Sequence, residues 1–374
     1  MSNNNHKEKR RKFSLKELGG AFGDWGTLIP FIIGYVSVVG LNPAGIFLTL
    51  GLTNIILGIR FNLPLPVQPQ KSIGAIAISQ KWSPSLVIST GFATGVIWLI
   101  LGFSKLLGKI VKKVPIITVR GIQLGLGFIL GWTALTLIIE NWILGIISIL
   151  IILIFINVKR IPSSLILVTF GILILIFTKT ITVSDIIFHF PNIHLALPNF
   201  YDMIYGMLFA GIGQLFLTLT NVMIATVALA KELFPDKADE IDADSLAINM
   251  GIMNLINPFV YGMPLCHGSG GLAAQYAFGA RTGGSMILEG IIEIALGLFF
   301  SQTLFALFIN FPQSIFGAML LYTAILLGKI SLKQVKKNHF VLILISALFC
   351  FFINITIGFL VGLVLYLIFK KRLG

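Results

Sequence analysis

Two polar segments rich in helix-breaking residues carry the groups needed to bind an anion inside a membrane. The first, at residues 64–72, supplies Gln68, Gln70, Lys71 and Ser72. The second, displaced by 200 positions, supplies Cys266, His267, Gly268, Ser269, Gly270, Gly271 and, slightly later, Gln275. A short apolar helix follows each segment, and a helix that begins inside the membrane leaves unpaired N–H groups for a ligand. Glycines uncover the backbone and Lys71 adds a full positive charge, so the pattern predicts an anion site between two half-helices.

A simpler alternative is that these prolines and glycines only let helices kink and pack. That arrangement is common in membrane proteins. Packing does not call for so many polar side chains at both breaks, however, and we favour the binding hypothesis.

Asp24 is the only acidic residue that we place deep in the first half of the chain. A buried ionisable residue is costly in a membrane, which makes it a functional hypothesis by default. We interpret Asp24 as a proton-coupling residue or as a static partner of Lys71 or of a break in the backbone. Glu289 and Glu293 lie four residues apart on one helix face; a water path and a pairing with Arg281 are both open, and we favour a structural role.

Composition identifies an integral membrane protein. Hydrophobic residues make up 56% of the chain and charged residues 11%, with a mean hydropathy of +0.97, whereas soluble domains carry about 25% charged residues. The chain lacks the clustered nucleophiles or metal ligands of an enzyme, and its basic clusters lack the interleaved aromatic residues of a nucleic-acid site. We expect no enzymatic activity, no cofactor, no metal site and no nucleic-acid partner.

Apolar runs and positive charges predict an all-α polytopic fold. We place fourteen spans at residues 18–38, 42–59, 64–80, 84–106, 115–138, 142–157, 162–178, 201–230, 245–261, 264–280, 284–301, 312–328, 339–354 and 356–369. With a cytoplasmic N-terminus, all of the 27 Lys and Arg residues except Lys71, Lys81 and Lys179 fall on the inner side, as the positive-inside rule requires.

Seven spans per half is an odd number, so two related halves must form an inverted repeat. We divide the chain into a cytoplasmic basic N-terminus at 1–17, a first repeat at 18–178, an extracytoplasmic connection at 179–200, a second repeat at 201–369 and a short cytoplasmic tail at 370–374. In both halves a helix of small residues with a polar face precedes the broken helix. In the second half this face includes Gln214, which we add to the candidate binding residues.

The two broken segments, together with residues 23–30 (Gly-Asp-Trp-Gly-Thr-Leu-Ile-Pro), closely resemble the signature motifs of the molybdate transporters related to the sulfate permeases. The resemblance covers essentially the whole chain. It implies the seven-plus-seven inverted-repeat fold of sulfate permease-like and uracil permease-like carriers. In that fold the first, third, eighth and tenth spans hold the substrate in a core domain that moves against a gate domain. The larger sulfate permeases carry a C-terminal regulatory domain, which we do not expect here.

These observations predict secondary uptake of molybdate across the cytoplasmic membrane, with both termini cytoplasmic, by an elevator-like movement. Proton coupling, tungstate or sulfate as substrate, and a homodimer are left open. An anion channel on the same fold is the alternative from another functional class. A nucleobase carrier would be expected to bring acidic residues to the eighth and tenth spans, where this chain has Gln214 and a Ser-Gly run.

Overall fold

The protein is mostly helical. The computed structural model describes residues 11–111, 113–155, 163–193, 195–333, 335 and 337–373. The first ten residues of the predicted N-terminal segment, the end of the span at 142–157, the start of the span at 162–178, and Gly374 lie outside the described residues.

Helices in the N-terminal part begin after residues that satisfy their free N–H groups. The side-chain oxygen of Asn42 accepts from the N–H of Ala44 at 2.9 Å, and that of Ser83 accepts from Leu86 at 3.2 Å; a proline follows each cap. The helices are α1 (Leu15–Ala21), α2 (Trp25–Gly34), α3 (Pro43–Phe61), α4 (Lys71–Ser79), α5 (Pro84–Ser104), α6 (Leu107–Val111), α7 (Ile116–Glu140), α8 (Trp142–Phe155) and α9 (Ser163–Phe177).

The C-terminal part follows an irregular connection, of whose described residues only Val183–Asp185 are helical. Its helices are α10 (Phe200–Gly206), α11 (Ile212–Thr218), α12 (Val227–Leu233), α13 (Ala243–Ile256), α14 (Ser269–Phe278), α15 (Gly284–Phe299), α16 (Ser301–Ile309), α17 (Gln313–Leu332), α18 (Lys337–Phe352) and α19 (Ile355–Leu373). Short 3-10 segments lie at Pro235–Glu240 and Asn257–Val260. There are also two three-residue strands in the described residues, β1 (Val67–Pro69) and β2 (Leu265–His267).

Two long helices change their winding along their length. Residues 15–39 run through α1, a 3-10 turn, α2 and a π-helical segment, Tyr35–Val39. Residues 200–233 run through α10, α11 and α12 with π-helical segments at Met207–Gly211 and Leu219–Thr226. π-helical turns are rare overall, but those that occur are often found at functional sites. Both long helices contribute residues to the site described below.

Six helices in the described part are long and apolar enough to cross a membrane by themselves: Leu15–Val39, Pro43–Phe61, Pro84–Ser104, Ile116–Glu140, Phe200–Leu233 and Gln313–Leu332. The bent pair of α15 and α16 makes a seventh if it is counted as one span. Each of the fourteen predicted spans overlaps a helix, but four of these helices are shorter apolar segments of 10–17 residues. The prediction of a polytopic helical membrane protein is confirmed, whereas length and composition do not establish the count of fourteen.

Helix α16 was not predicted. Residues 302–311 were expected to be a connection between two spans, and the nine residues of α16 are too few to cross a membrane. In the structure α16 lies at 85° to α15. Its residue Thr303 accepts a hydrogen bond from the backbone N–H of Ile187 at 2.9 Å, which ties the irregular connection to this bend.

The helices form two packed groups. In one, α3 packs along α15 and α5 packs along α13; in the other, α7 packs along α17 and α18. Small residues allow the close approach of α3 and α15, since a Cβ atom at Gly51 would lie 2.5 Å from the carbonyl oxygen of Gly290. The two half-helices α4 and α14 begin beside the first group.

Candidate functional site

Strands β1 and β2 hold the starts of the two half-helices together. They pair antiparallel, with Gln68 opposite Cys266, and the backbone N–H of Gln70 donates to the carbonyl of Pro264 at 2.9 Å. One residue separates each strand from its helix, so α4 begins at Lys71 and α14 at Ser269. The breaks predicted at 64–72 and 264–271 are therefore extended segments that join in one short ladder.

Asparagine side chains from neighbouring helices bind the outer edges of this ladder. Asn254 of α13 accepts from the N–H of Leu265 at 2.8 Å and donates to its carbonyl at 2.6 Å. Asn54 of α3 accepts from the N–H of Val67 at 3.3 Å. Leu265 and Val67 sit at ladder positions whose backbone groups face away from the partner strand, so these asparagines satisfy buried polar groups that would otherwise be unpaired.

The N-terminus of α14 is open to a ligand. Gly268 precedes the helix and no side chain caps it. The N–H groups of Ser269, Gly270 and Gly271 lie in the first turn, where helix geometry provides no acceptor, and no acceptor from the described residues replaces it. Gly270 is exposed, and a Cβ atom there would meet nothing within 4 Å. The hydroxyl of Ser269 donates to Asn221 at 3.0 Å.

The N-terminus of α4 is partly occupied by the protein itself. The side-chain oxygen of Gln214, from α11, accepts from the backbone N–H of Ser72 at 2.8 Å, and its amide nitrogen donates to Thr218 at 2.9 Å. The hydroxyl of Ser72 donates to the carbonyl of Ala210 at 3.0 Å. Gln214 therefore stabilises the first turn of α4. Lys71 is half-buried, and its ammonium has no ion-pair or hydrogen-bond partner in the described part of the chain.

The side chain of Gln68 connects the ladder to the first long helix. Its amide nitrogen donates to Thr27 at 3.0 Å and to Asp24 Oδ2 at 3.3 Å. A Cβ atom at Gly271 would lie 2.9 Å from that nitrogen and 3.2 Å from Asp24 Oδ2. Asp24 is therefore close to the first turn of α14.

Asp24 is not the only buried acidic residue in the first half of the chain, and this corrects the expectation. Glu17, on the same long helix, is also buried and accepts from the backbone N–H of Arg281 at 3.2 Å. Glu289 and Glu293 of α15 are buried beside Asp24. Neither glutamate pairs with Arg281, whose guanidinium instead lies over the ring of Tyr276 at 3.6 Å, so that proposed pairing is wrong.

Four further predicted binding residues, like Gln68, Ser72 and Gln214, are buried within the protein. Gln70 donates to Thr94 and to the carbonyl of Leu265, both at 3.1 Å. Gln275 donates to Glu289 at 2.6 Å. Cys266 and His267 are buried in β2, and the thiol of Cys266 points to the carbonyl of Pro69 at 3.7 Å. These side chains shape the ladder and the core around it.

Sequence reasoning missed several residues of this region. Asn221 was not identified as a partner of Ser269, because the contact joins residues 48 apart in sequence. Thr27 and Trp25 were treated as parts of a motif. The displacement of 200 positions that relates the two breaks also relates Asn54 to Asn254. This signal could have identified both asparagines that bind the edges of the ladder.

Comparison with known proteins gives consistent results. A family model described as "Molybdate transporter of MFS superfamily" matches residues 16–130 and 206–327. The chain is 31% identical to Molybdate transporter 2 of Arabidopsis thaliana, covering 97% of this chain and 90% of the relative. It is 26% identical to Molybdate transporter 1 of Chlamydomonas reinhardtii, covering 96% and 93%.

Solved structures share the fold at low sequence identity. The transmembrane domain of the cyanobacterial bicarbonate transporter BicA superposes with a TM-score of 0.68 at 14% identity, covering 93% of this chain and 97% of that one. The murine solute carrier 26 family member A9 anion transporter, in its inward-facing state, gives 0.71 at 15% identity, covering 97% and 70%. The expected relation to the sulfate permease-like fold is thereby confirmed.

Proposed function

Because this chain belongs to the molybdate transporter family, which consists of transporters rather than enzymes, we propose that it carries molybdate into the cell across the cytoplasmic membrane. The observation that carries the proposal is the uncapped N-terminus of α14, where the N–H groups of Ser269, Gly270 and Gly271 have no acceptor in the described chain. The half-buried ammonium of Lys71 lies at the start of the other half-helix. Together they form a positive site in which Lys71 has no ion-pair partner among the described residues.

A dianion fits this electrostatic arrangement. Each helix N-terminus contributes a partial charge of about +0.5, and Lys71 adds a full charge. The N–H groups of Ser269, Gly270 and Gly271 are the expected hydrogen-bond donors, because Ser72 at the other helix already donates to Gln214. An oxyanion has acceptors on every face, so it can engage several backbone donors at once.

The candidate residues divide into two roles under this proposal. Lys71, Ser269, Gly270 and Gly271 bind the anion, and Asn221 lies beside them. The others hold these groups in position through the ladder, the helix starts and the first long helix: Gln68, Gln70, Ser72, Gln214, Cys266, His267, Gly268 and Gln275. The latter set is ordered by hydrogen bonds or burial within the protein.

Helix packing supports an inverted repeat of two halves, at 18–178 and 201–369, joined by the connection at 179–200. If the spans are numbered one to seven in each half, the second span of each half packs along the fourth span of the other half, as α3 with α15 and α13 with α5. Strand β1 of the first half likewise pairs with its counterpart in the second half, β2. Such an exchange is expected when a two-fold axis relates the halves.

We further propose that the two packed groups act as core and gate domains. The core contains the half-helices and the pairs α3–α15 and α5–α13, and the gate contains α7, α17 and α18. An elevator-like movement of the core would carry the anion between the two sides. The positive-inside distribution of Lys and Arg supports cytoplasmic termini.

Proton coupling gives this movement a driving force. Moving a dianion into a negative interior costs about 2.3 kcal/mol per charge per 100 mV. We propose Asp24, near the first turn of α14, as the coupling residue. Tungstate and sulfate are alternative substrates because both are tetrahedral dianions, and the lipid bilayer surrounds the protein in any case.

The deciding experiment is uptake and binding by purified protein with molybdate, tungstate, sulfate and uracil side by side, in vesicles and in detergent. We expect saturable, concentrative uptake of molybdate. Strong uracil binding without oxyanion binding would contradict the proposal, and large unitary currents would indicate a channel. Size-exclusion chromatography with light scattering tests the homodimer.

A further inference from the structure

Three carboxyl groups meet in the core behind the proposed anion site. Asp24, Glu289 and Glu293 are 2%, 1% and 0% exposed. Trp25, the residue after Asp24, donates to Glu289 at 2.9 Å, and Glu289 interacts with the charges of both Asp24 and Glu293. None of the three forms an ion pair within the described residues. Three adjacent negative charges in a medium of low dielectric constant cannot all be ionised, so this cluster must hold protons.

The hydrogen bonds indicate which carboxyl oxygens carry these protons. Both carboxylate oxygens of Glu289 already accept, from Trp25 Nε1 at 2.9 Å and from Gln275 Nε2 at 2.6 Å. Asp24 Oδ1 has no donor, and neither has Glu293 Oε1, although Glu293 Oε2 accepts from Asn54 at 2.8 Å. A buried oxygen without a donor is satisfied when it carries a proton itself.

An independent observation comes from Gln68, which belongs to β1. Its side chain is 2% exposed and its amide oxygen has no donor, although its amide nitrogen contacts Asp24 Oδ2 at 3.3 Å. When the proton of Asp24 is on Oδ2 instead of Oδ1, it supplies the missing donor after the Gln68 amide group rotates by about 180°. Gln68 can therefore bond to either protonation state of Asp24.

The same residue links the carboxyl cluster to the anion. Gln68 Nε2 lies 2.9 Å from the Cβ position of Gly271, in the first turn of α14. A dianion bound there adds negative potential at Asp24 and favours the protonated form.

The surrounding titratable groups do not neutralise the cluster. From α4, Lys71 interacts with the charge of Asp24 but forms no ion pair with it. From α1, Glu17 is engaged by the N–H groups of Arg281 and Thr282. From β2, Cys266 points to Pro69 and His267 lies near the backbone of Pro66. One ammonium group can offset at most one of three carboxylates.

We infer that Asp24, Glu289 and Glu293 form a single proton-binding site in the core, in which Asp24 and Glu289 share the proton that accompanies the anion. This inference rests on the proposed transport function. The proton comes from the aqueous side at which the anion enters. It leaves on the opposite side when the anion, and with it the added negative potential, has gone.

The test measures protons taken up on anion binding. Molybdate is added to the purified full-length protein in weakly buffered detergent solution, and a pH-indicator dye reports proton uptake while calorimetry reports binding. We expect the unchanged protein to take up protons with molybdate. Asp24→Asn and Glu289→Gln should bind molybdate with most of that uptake lost, whereas Glu140→Gln, at an exposed end of α7, should behave as the unchanged protein.

A second variant protects the test against misfolding of Glu289→Gln. Trp25→Phe removes one N–H donor from Glu289 while keeping an aromatic ring, and the pH dependence of molybdate binding should shift to higher pH because ionised Glu289 loses a partner. Molybdate binding without proton uptake would overturn the inference. Unchanged uptake in folded Asp24→Asn and Glu289→Gln, or an unshifted pH dependence in Trp25→Phe, would do the same.

An anion-free measurement separates this inference from the proposed function. Infrared difference spectra on pH titration detect the carbonyl stretch of protonated carboxyl groups. We expect a band at neutral pH that weakens in Asp24→Asn and in Glu289→Gln but not in Glu140→Gln. If molybdate does not bind, the proposed function fails and this band still decides whether the proton site exists; its absence overturns the inference.

Discussion

Asn54 and Asn254, displaced by 200 positions in sequence, bind the outer edges of the same two-stranded ladder from opposite sides. Asn254 accepts from the N–H of Leu265 at 2.8 Å and Asn54 accepts from the N–H of Val67 at 3.3 Å. The two half-helices are thus anchored by side chains of the same type on the neighbouring helices α13 and α3. Each anchor satisfies a backbone group that the ladder leaves unpaired.

Replacing Asn254 with alanine should destabilise the protein. The N–H of Leu265 would be left buried without an acceptor, which costs about 1–3 kcal/mol. Thermal unfolding in detergent measures the loss, and Asn249→Ala is the matched control because the amide nitrogen of Asn249, on the same helix, has no partner among the described residues. Equal melting temperatures for the two variants would show that Asn254 does not stabilise the ladder.

Lys71→Ala should remove most molybdate binding while the protein remains folded. Lys71 makes no ion pair or hydrogen bond within the described chain, so its loss leaves no protein group unpaired. Truncating one partner of a desolvated charge pair costs on the order of 2–5 kcal/mol, or at least about a 30-fold rise in Kd. Calorimetry checks this, with the exposed Lys231→Ala as the control for lost charge. Undiminished affinity would show that the helix N-terminus alone holds the anion.

Substitutions at Gly270 and Gly271 should have different effects. A Cβ atom at Gly270 meets nothing within 4 Å, whereas one at Gly271 would lie 2.9 Å from both Gln68 Nε2 and Pro66 Cγ. Gly270→Ala and Gly270→Val should keep the melting temperature and weaken binding progressively with bulk. Gly271→Ala should lower the melting temperature itself. If affinity does not depend on side-chain size at Gly270, the anion lies elsewhere.

Gln214 should act through helix α4. Gln214→Ala removes the acceptor from the N–H of Ser72 and should cost about 1 kcal/mol of stability, as other lost N-terminal caps do. Gln214→Glu keeps the acceptor but places a negative charge near the anion, so it should preserve the fold and weaken molybdate binding strongly. Comparison of melting temperature with Kd for the pair separates the two effects. Full affinity in Gln214→Glu would place the anion far from α4.

Asp24→Asn should retain binding and exchange of labelled molybdate but lose accumulation driven by a pH gradient. The amide keeps the size and polarity of the carboxyl group but cannot take up or release a proton in the physiological pH range. Proteoliposomes with an imposed pH gradient provide the measurement. If Asp24→Asn accumulates molybdate as well as the wild-type protein does, Asp24 has a structural role. The same conclusion follows if uptake by the wild-type protein does not depend on the pH gradient.

Local features of the fold could be predicted because they depend on neighbouring residues. Pro64, Pro66 and Pro69 exclude a regular helix, and Lys71 begins one where the breaks end. The pairing of β1 with β2 could not be predicted in the same way, because it joins residues about two hundred positions apart through backbone groups that every residue possesses.

The roles of the site residues depend on partners that sequence does not show. Gln214 and Gln275 have the composition of ligand donors, yet they bond to Ser72 and Glu289. Glu289 lies far along the chain from Asp24, so the two carboxyl groups looked independent. Only the fold brings them together.

The ladder of β1 and β2 sets a frame of constant width for the two helix N-termini. Paired strands lie about 4.8 Å apart, and one residue separates each strand from its helix. Hydrogen bonds between backbones do not stretch to suit a larger ion, and they do not depend on side-chain identity. Any adjustment of this frame to a different ion must therefore come from the side chains around it.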